Sequence, residues 1–167
     1  MKCIILNQPG GGVRVIHPAY NDRITGFGKG AYANETENAY LVRVAARNRE
    51  TGQIPPGAAF VIQDVSLLPT RSYRDAWKFD GVSIKHDMVA ARQMKIDQEL
   101  RPERNKRLLA MDAEYMKADE QADLVRKQQI ATKKQQLRDM PATVRPSLDA
   151  IADPDALKAW QPTWPLP

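Results

Sequence analysis

Short apolar runs separated by turn residues open the chain. "KCIILNQ" and "VRVIHPA" are rich in β-branched side chains and flank "PGGG", which predicts two strands joined by a glycine turn. An irregular stretch, "YNDRITGFGKGAYA", comes next. In "TENAYLVRVAARNRE" the apolar residues Tyr40, Leu41, Val44 and Ala45 recur at helical spacing, and Thr36 stands where its hydroxyl would cap the first turn. "TGQIPPG" breaks that helix, "AAFVIQDV" predicts another buried strand, and "YRDAWKFDGVSIKHD" sets Asp80 and Gly81 as a turn between two alternating runs. Residues 1–86 thus predict a small α+β domain with β-hairpins and one helix.

From Asp87, a residue suited to capping a helix, the pattern changes. All nine glycines lie before it, and Ala, Gln, Lys, Arg, Glu, Leu and Met dominate the remainder. Pro102 should end or kink the first helix unless it opens a new one. Leu108, Asp112, Tyr115 and Met116 share one helical face. Beyond "KADEQAD", Leu124 with Ala131 and Ile130 with Leu137 mark a second, narrower stripe. Both stripes are lean in apolar surface, so residues 87–140 predict a helical hairpin, coiled-coil-like, that completes its burial against a partner or a symmetry mate. Residues 141–167 are proline-rich and predict a short helix at "DPDALKAW" within an extended tail. The fold class expected is α+β, in three parts: 1–86, 87–140 and 141–167.

Composition narrows the function classes. At 167 residues, with 43% hydrophobic and 27% charged, the chain has room for one ordinary domain plus an extension. Cys3 stands alone, which excludes an internal disulfide or a cysteine-based zinc site within one chain and favours a reducing compartment. Neither a secretion leader nor a bilayer-spanning run is expected, which points to cytoplasm. The net charge of +5 raises nucleic acid as a partner, but 20 acidic residues are interspersed with 25 basic ones and no dense basic block with aromatics occurs.

The candidate chemistry is sparse. "TGFGKG" fails the phosphate-loop pattern because Lys29 is followed by Gly30 instead of Ser or Thr, so a flexible loop is expected there, and Gly10 to Gly12 read as a hairpin turn. His17 and His86 fit no metal-ligand spacing, even with Asp22 or Asp87 added. No Gly-x-Ser-x-Gly elbow exists, and Cys3 reads as a small apolar strand residue. Asp112, Glu114, Asp119 and Glu120 could form an acid and base pair only if one were buried with a raised pKa. They lie among Lys117, Arg107 and Arg126, where a solvated mixed face is expected. "RKQQIATKKQQLR" carries cations around its helix and no aromatic for stacking a base. No catalytic residue, cofactor or metal is expected.

The segment "DALKAWQPTWPLP" carries the strongest signal. Proline leaves it little conformational freedom to lose on docking, and burying each indole is worth roughly 2 to 3 kcal/mol. It can dock on this chain or on another. "ERNKRLLAMD", then "KKQQLRDMP", then "WPLP" resemble the C-terminal signature of bacteriophage tail assembly chaperone and tail-fibre assembly proteins. In that family an Arg-Asn helix start, a Leu-Arg-Asp-x-Pro helix end and a closing Trp-Pro-x-Pro recur in that order. The match lies on Arg104, Asn105, Leu108, Leu109, Asp112, Leu137, Arg138, Asp139, Pro141, Trp164, Pro165 and Pro167. "YRDAWKFDG" and "DMVAARQM" are also similar to stretches of prophage proteins encoded near tail and fibre genes.

The resemblance implies a non-enzymatic tail protein, either a chaperone or an adaptor attaching fibre to tail. Its partner would be a tail-fibre or tail-tip/baseplate protein, with a homo-oligomer also open, and no membrane. The setting would be host cytoplasm during assembly, or the virion tail. The expected partner-binding residues are Leu108, Tyr115, Met116, Leu124, Ile130, Leu137, Trp160, Trp164, Pro165 and Pro167. The alternative is a small basic nucleic-acid-binding accessory protein.

Overall fold

Four consecutive residues of the first strand, Cys3 to Leu6, are buried, which requires cover on both faces of the sheet. The computed structural model describes residues 1–8, 12–18, 32 and 34–164, and shows that cover. β1 (Lys2–Asn7) is the central strand of an antiparallel sheet, between β2 (Val13–Ile16) and β3 (Phe60–Asp64). Ile4 stands opposite Ile16 on one side and Ile62 on the other. The Gln8 N–H donates to the Gly12 carbonyl at 3.2 Å, and Gly12 takes a φ of +83° that closes the hairpin without Cβ strain. Gly10, Gly11 and the "TGFGKG" loop lie outside the described residues.

Alternation then assigns the faces. Ile4 and Leu6 pack with Tyr40, Leu41 and Ala45 of α1 (Glu37–Glu50) and with Ile54. Cys3 and Ile5 pack on the opposite face with Trp77 and Ile84. α1 starts where its sequence signal lies: the Ala39 N–H donates to the Thr36 hydroxyl at 3.2 Å. Trp77 and Ile84 belong to a second antiparallel pair, β4 (Trp77–Phe79) and β5 (Ile84–His86). Asp80 shapes their turn by accepting N–H bonds from Ser83 at 2.8 Å and Val82 at 2.9 Å, with Lys85 at 3.0 Å. The Ser83 N–H first, and then Lys85, hold its carboxyl well below the usual carboxylate range. Residues Met1–Asp87 form one compact unit, and Met88–Pro167 a second.

The second unit is helical throughout its described length, apart from short connections and the stretch after residue 159. α2 (Met88–Met94) runs into a six-residue wider turn, Lys95–Leu100, where the Arg101 N–H reaches back five residues to the Ile96 carbonyl. α3 (Arg101–Glu120) continues from it with Pro102 in its first turn. The proline ring would crowd the carbonyl of Gln98 in a tightly wound helix, and the wider winding ahead of it removes that clash. Pro102 therefore neither ends the helix nor breaks its course. α4 (Leu124–Thr143) returns after a three-residue turn. There the Asp123 N–H donates to the Ala118 carbonyl at 2.9 Å and the Ala122 N–H to Asp119 at 3.0 Å, closing the end of α3 with Ala122 at φ +53°.

The tail expected from residue 141 is corrected. α4 continues through Pro141 to Thr143, α5 (Arg145–Asp149) comes after it, and α6 (Pro154–Ala159) occupies the position expected for a short helix, capped by Asp153. From residue 141 to 164 only residues 151–153 and 160–164 lie outside helices and their turns. Apolar residues recur through this stretch at Met140, Val144, Leu148 and Leu157, all buried, which is why it folds instead of trailing.

Cys3 and Ala122 offer direct checks, one on each unit. Burial, with the charge of Asp64 second, raises the Cys3 thiol from its ordinary value near 9 to about 11. The unfolded chain therefore releases this proton first, and stability is lost as pH climbs from about 9 to 11. Denaturation series at pH 8 and 10.5 should show a larger loss for the native sequence than for Cys3→Ala; equal losses would refute the burial. At Ala122, a left-handed backbone costs an alanine about 1 kcal/mol, so Ala122→Gly should raise the thermal midpoint of the helical unit by a few degrees.

Candidate partner-binding surface

The helical hairpin satisfies most of its own apolar stripe. Met111, Ala118, Ile130 and Leu137 are buried together, with Leu108, Tyr115 and Trp164 packed against them. Leu108, Met111, Tyr115 and Ala118 succeed one another at three- and four-residue steps, so they form the α3 side of a coiled-coil-like seam. Five expected partner-binding residues, Leu108, Tyr115, Ile130, Leu137 and Trp164, thus lie in an intrachain cluster. Two others do not: Met116 is 62% exposed and Leu124 74%. Pro165 and Pro167 lie outside the described residues. The pairing of Asp112 and Met116 with the inward face is corrected, since Met111 and Ala118 hold those places.

Ion pairs reinforce the seam from outside. Arg126 binds Glu114 at 2.5 Å, Lys127 binds Asp119, and Lys134 binds Asp112, each joining α4 to α3. The Lys127 and Lys134 ammoniums also lie 5.3 and 5.1 Å from the centre of the Tyr115 ring. The Lys117 hydrogen bond first, and then charge from Lys117 and Arg126, hold Glu114 below the usual carboxylate range. A general acid needs the opposite shift. The cations of "RKQQIATKKQQLR" that face α3 are thereby spent within the hairpin, which weakens their offer to phosphates.

The segment after α4 is fastened to the start of the unit. Leu148 of α5 and Leu157 of α6 are fully buried, as are Ala91 of α2 and, nearly so, Ile96 and Leu100. Both short helices contact α2. Lys95 has no exposed surface: its Nζ donates to Glu99 at 2.8 Å and to the Lys158 carbonyl at 3.1 Å, and the Lys158 ammonium reaches the other Glu99 oxygen at 2.8 Å. Arg92 donates to the Ile151 carbonyl at 2.8 Å, and Arg145 donates to Gln93 at 3.0 Å. Six residues beyond Lys158, Trp164 receives the Arg107 guanidinium at 4.8 Å from its ring centre. The segment thus makes contact at both ends of its described course.

Trp160 is left half-buried beside a groove of about 630 Å³, with Met140, Val144 and Pro162 as its apolar lining and Asp139 and Thr143 at its polar edge. Sequence reasoning missed Met140, Val144, Leu148 and Leu157 as core, though their spacing carried the signal. It also missed the exposed Leu109 and Val125, at 72% and 70%.

The histidines contribute no second site. His86 Nε2 lies 3.0 Å from the Trp77 indole nitrogen and 2.7 Å from the Ser72 carbonyl oxygen. Burial, then Arg71 and Arg74, press His17 below its ordinary value. Among the described residues, no group of three His, Cys, Asp or Glu side chains could hold a metal ion, and no helix is long and apolar enough to cross a membrane. No protein-family model, curated protein or solved structure matches the chain.

Removing the partner of a fully buried ammonium costs about 3 kcal/mol or more, whereas replacing both members by apolar groups costs little. Urea unfolding followed by helical circular dichroism should therefore show Glu99→Ala strongly destabilised. Adding Lys95→Met to it should restore most of the loss.

Proposed function

We propose that the chain is a non-enzymatic bacteriophage tail protein that binds a tail-fibre or tail-tip polypeptide, as an assembly chaperone or as an adaptor. The observation that carries this reading is the meeting of three separated motif pieces. Leu108 from "ERNKRLLAMD", Leu137 from "KKQQLRDMP" and Trp164 from "WPLP" pack into one cluster, and Arg107 stacks on the indole. Residues from all three stretches thus meet in one packed cluster, which supports reading them together. Trp164 acts as an internal clamp instead of a free anchor. The partner is met by Trp160 and the groove of Met140, Val144 and Pro162, where a half-buried indole still has apolar area to lose on docking. Phosphate binding is disfavoured by the ion pairs that occupy Arg126, Lys127 and Lys134.

The test is co-purification with a co-expressed tail-fibre polypeptide. Trp160→Ala should reduce retention by roughly tenfold or more while the helical unfolding midpoint stays near its original value. Retention by the unmutated chain should change little between about 50 and 500 mM salt, because apolar docking releases no counterions. A steep fall with salt, together with unchanged retention by Trp160→Ala, would overturn the reading in favour of a polyanion-binding protein.

A further inference from the structure

α3 carries a second stripe, on its outer side. Lys106, Leu109, Ala113, Met116 and Glu120 succeed one another at steps of three, four, three and four residues, the spacing that keeps side chains along one line of a helix. All five are exposed, Leu109 at 72% and Met116 at 62%. This line is distinct from the inward seam of Leu108, Met111, Tyr115 and Ala118, so α3 offers apolar surface in two directions.

The charges of the helix single out the same line. Arg101 is paired with Asp97, Glu103 with Arg107, Asp112 with Lys134, Glu114 with Lys117 and Arg126, and Asp119 with Lys127. Arg104 turns onto its neighbour Asn105. Among the described residues, Lys106 and Glu120 alone of the charged side chains on α3 have neither an ion pair nor a side-chain hydrogen bond, and they close the two ends of the stripe with opposite sign.

We propose that this face binds a second copy of the chain, with the two α3 helices crossing antiparallel about a two-fold axis at Ala113. Lys106 and Glu120 each lie seven residues from Ala113, about 10 Å along the axis, so a two-fold there brings Lys106 of one copy to Glu120 of its mate at both ends. The same operation sets Leu109 beside Met116 of the mate. Alanine at the axis lets the helices approach closely. A parallel pairing would oppose Lys106 to Lys106 and Glu120 to Glu120, and is disfavoured by like charge. Five residues a side bury well under the roughly 1,200 Å² of a standard interface, so the association is a weak, concentration-dependent one. The face lies apart from the Trp160 groove, and the inference does not depend on the tail-protein reading.

Sedimentation of the purified full chain between about 5 and 500 μM tests it. A concentration-dependent monomer–dimer equilibrium is expected. Leu109→Asp, on a well-solvated position, should weaken it at least tenfold with circular dichroism unchanged. Lys106→Glu should weaken it as well, and the exchange Lys106→Glu with Glu120→Lys should restore it. A monomer at every concentration, a dimer indifferent to Leu109→Asp, or an exchange variant as weak as Lys106→Glu would each overturn the proposal. Fibre retention by Leu109→Asp separates the two accounts: it should remain intact, since the Trp160 groove is untouched.

Discussion

A lysine with no exposed surface fixes where the C-terminal segment sits in the helical unit. Taking an ammonium out of water is costly, and Lys95 offsets that cost only with Glu99 and the Lys158 carbonyl in place. Two of the three groups lie in the wide turn ahead of α3, and the third lies in α6, about sixty residues further on. The charge can thus be buried only when the C-terminal segment has returned to the start of the unit. Leu148 and Leu157 supply apolar area at the same place. The polar contact fixes where the segment sits, and the leucines contribute most of the favourable free energy.

That return changes the meaning of the lean hairpin. α3 and α4 together bury a narrow seam, and a pair of helices with so little apolar contact would be marginal in isolation. Here the seam is sealed on one side by Trp164 under Arg107 and by ion pairs across the helices, while α5 and α6 cover the ground around α2. Among the apolar surface that remains are the half-buried Trp160 with its groove, the outer line of α3, and Leu124 with Val125 at the start of α4. These are places where a satisfied fold still presents apolar atoms to water.

The α+β class and the order of its elements were legible because their signals are local. β1 and β2 are β-branched runs flanking a glycine turn, Thr36 caps α1 through its own hydroxyl, and Asp80 closes the β4–β5 turn with its carboxylate, each within a few residues. The course of the last third was less legible because proline in a sequence marks the end of a helix as readily as its start. Pro146 and Pro154 stand in the first turns of helices, where the missing N–H costs little, Pro102 follows the wider turn that makes room for its ring, and Pro141 is tolerated inside α4. The seam was half legible: Leu108, Tyr115, Ile130 and Leu137 show in the spacing, but Met116 competes there with Met111 and Ala118, and only packing decides between them. The Lys95–Glu99 pair has helical i,i+4 spacing, but its contact with Lys158 had no sequence signal, since only the fold brings that distant residue to it. The two terminal indoles stand out in the sequence as docking groups, and the structure shows Trp164 held by its own chain.

Native-state hydrogen exchange tests the claim that the C-terminal segment is an integral part of the helical unit. The Leu148 and Leu157 amides, which donate to the Val144 and Asp153 carbonyls, should exchange only through global opening of that unit, with protection matching that of Met111 and Leu137. Near-unprotected exchange at Leu148 and Leu157, with α3 and α4 still protected, would contradict it.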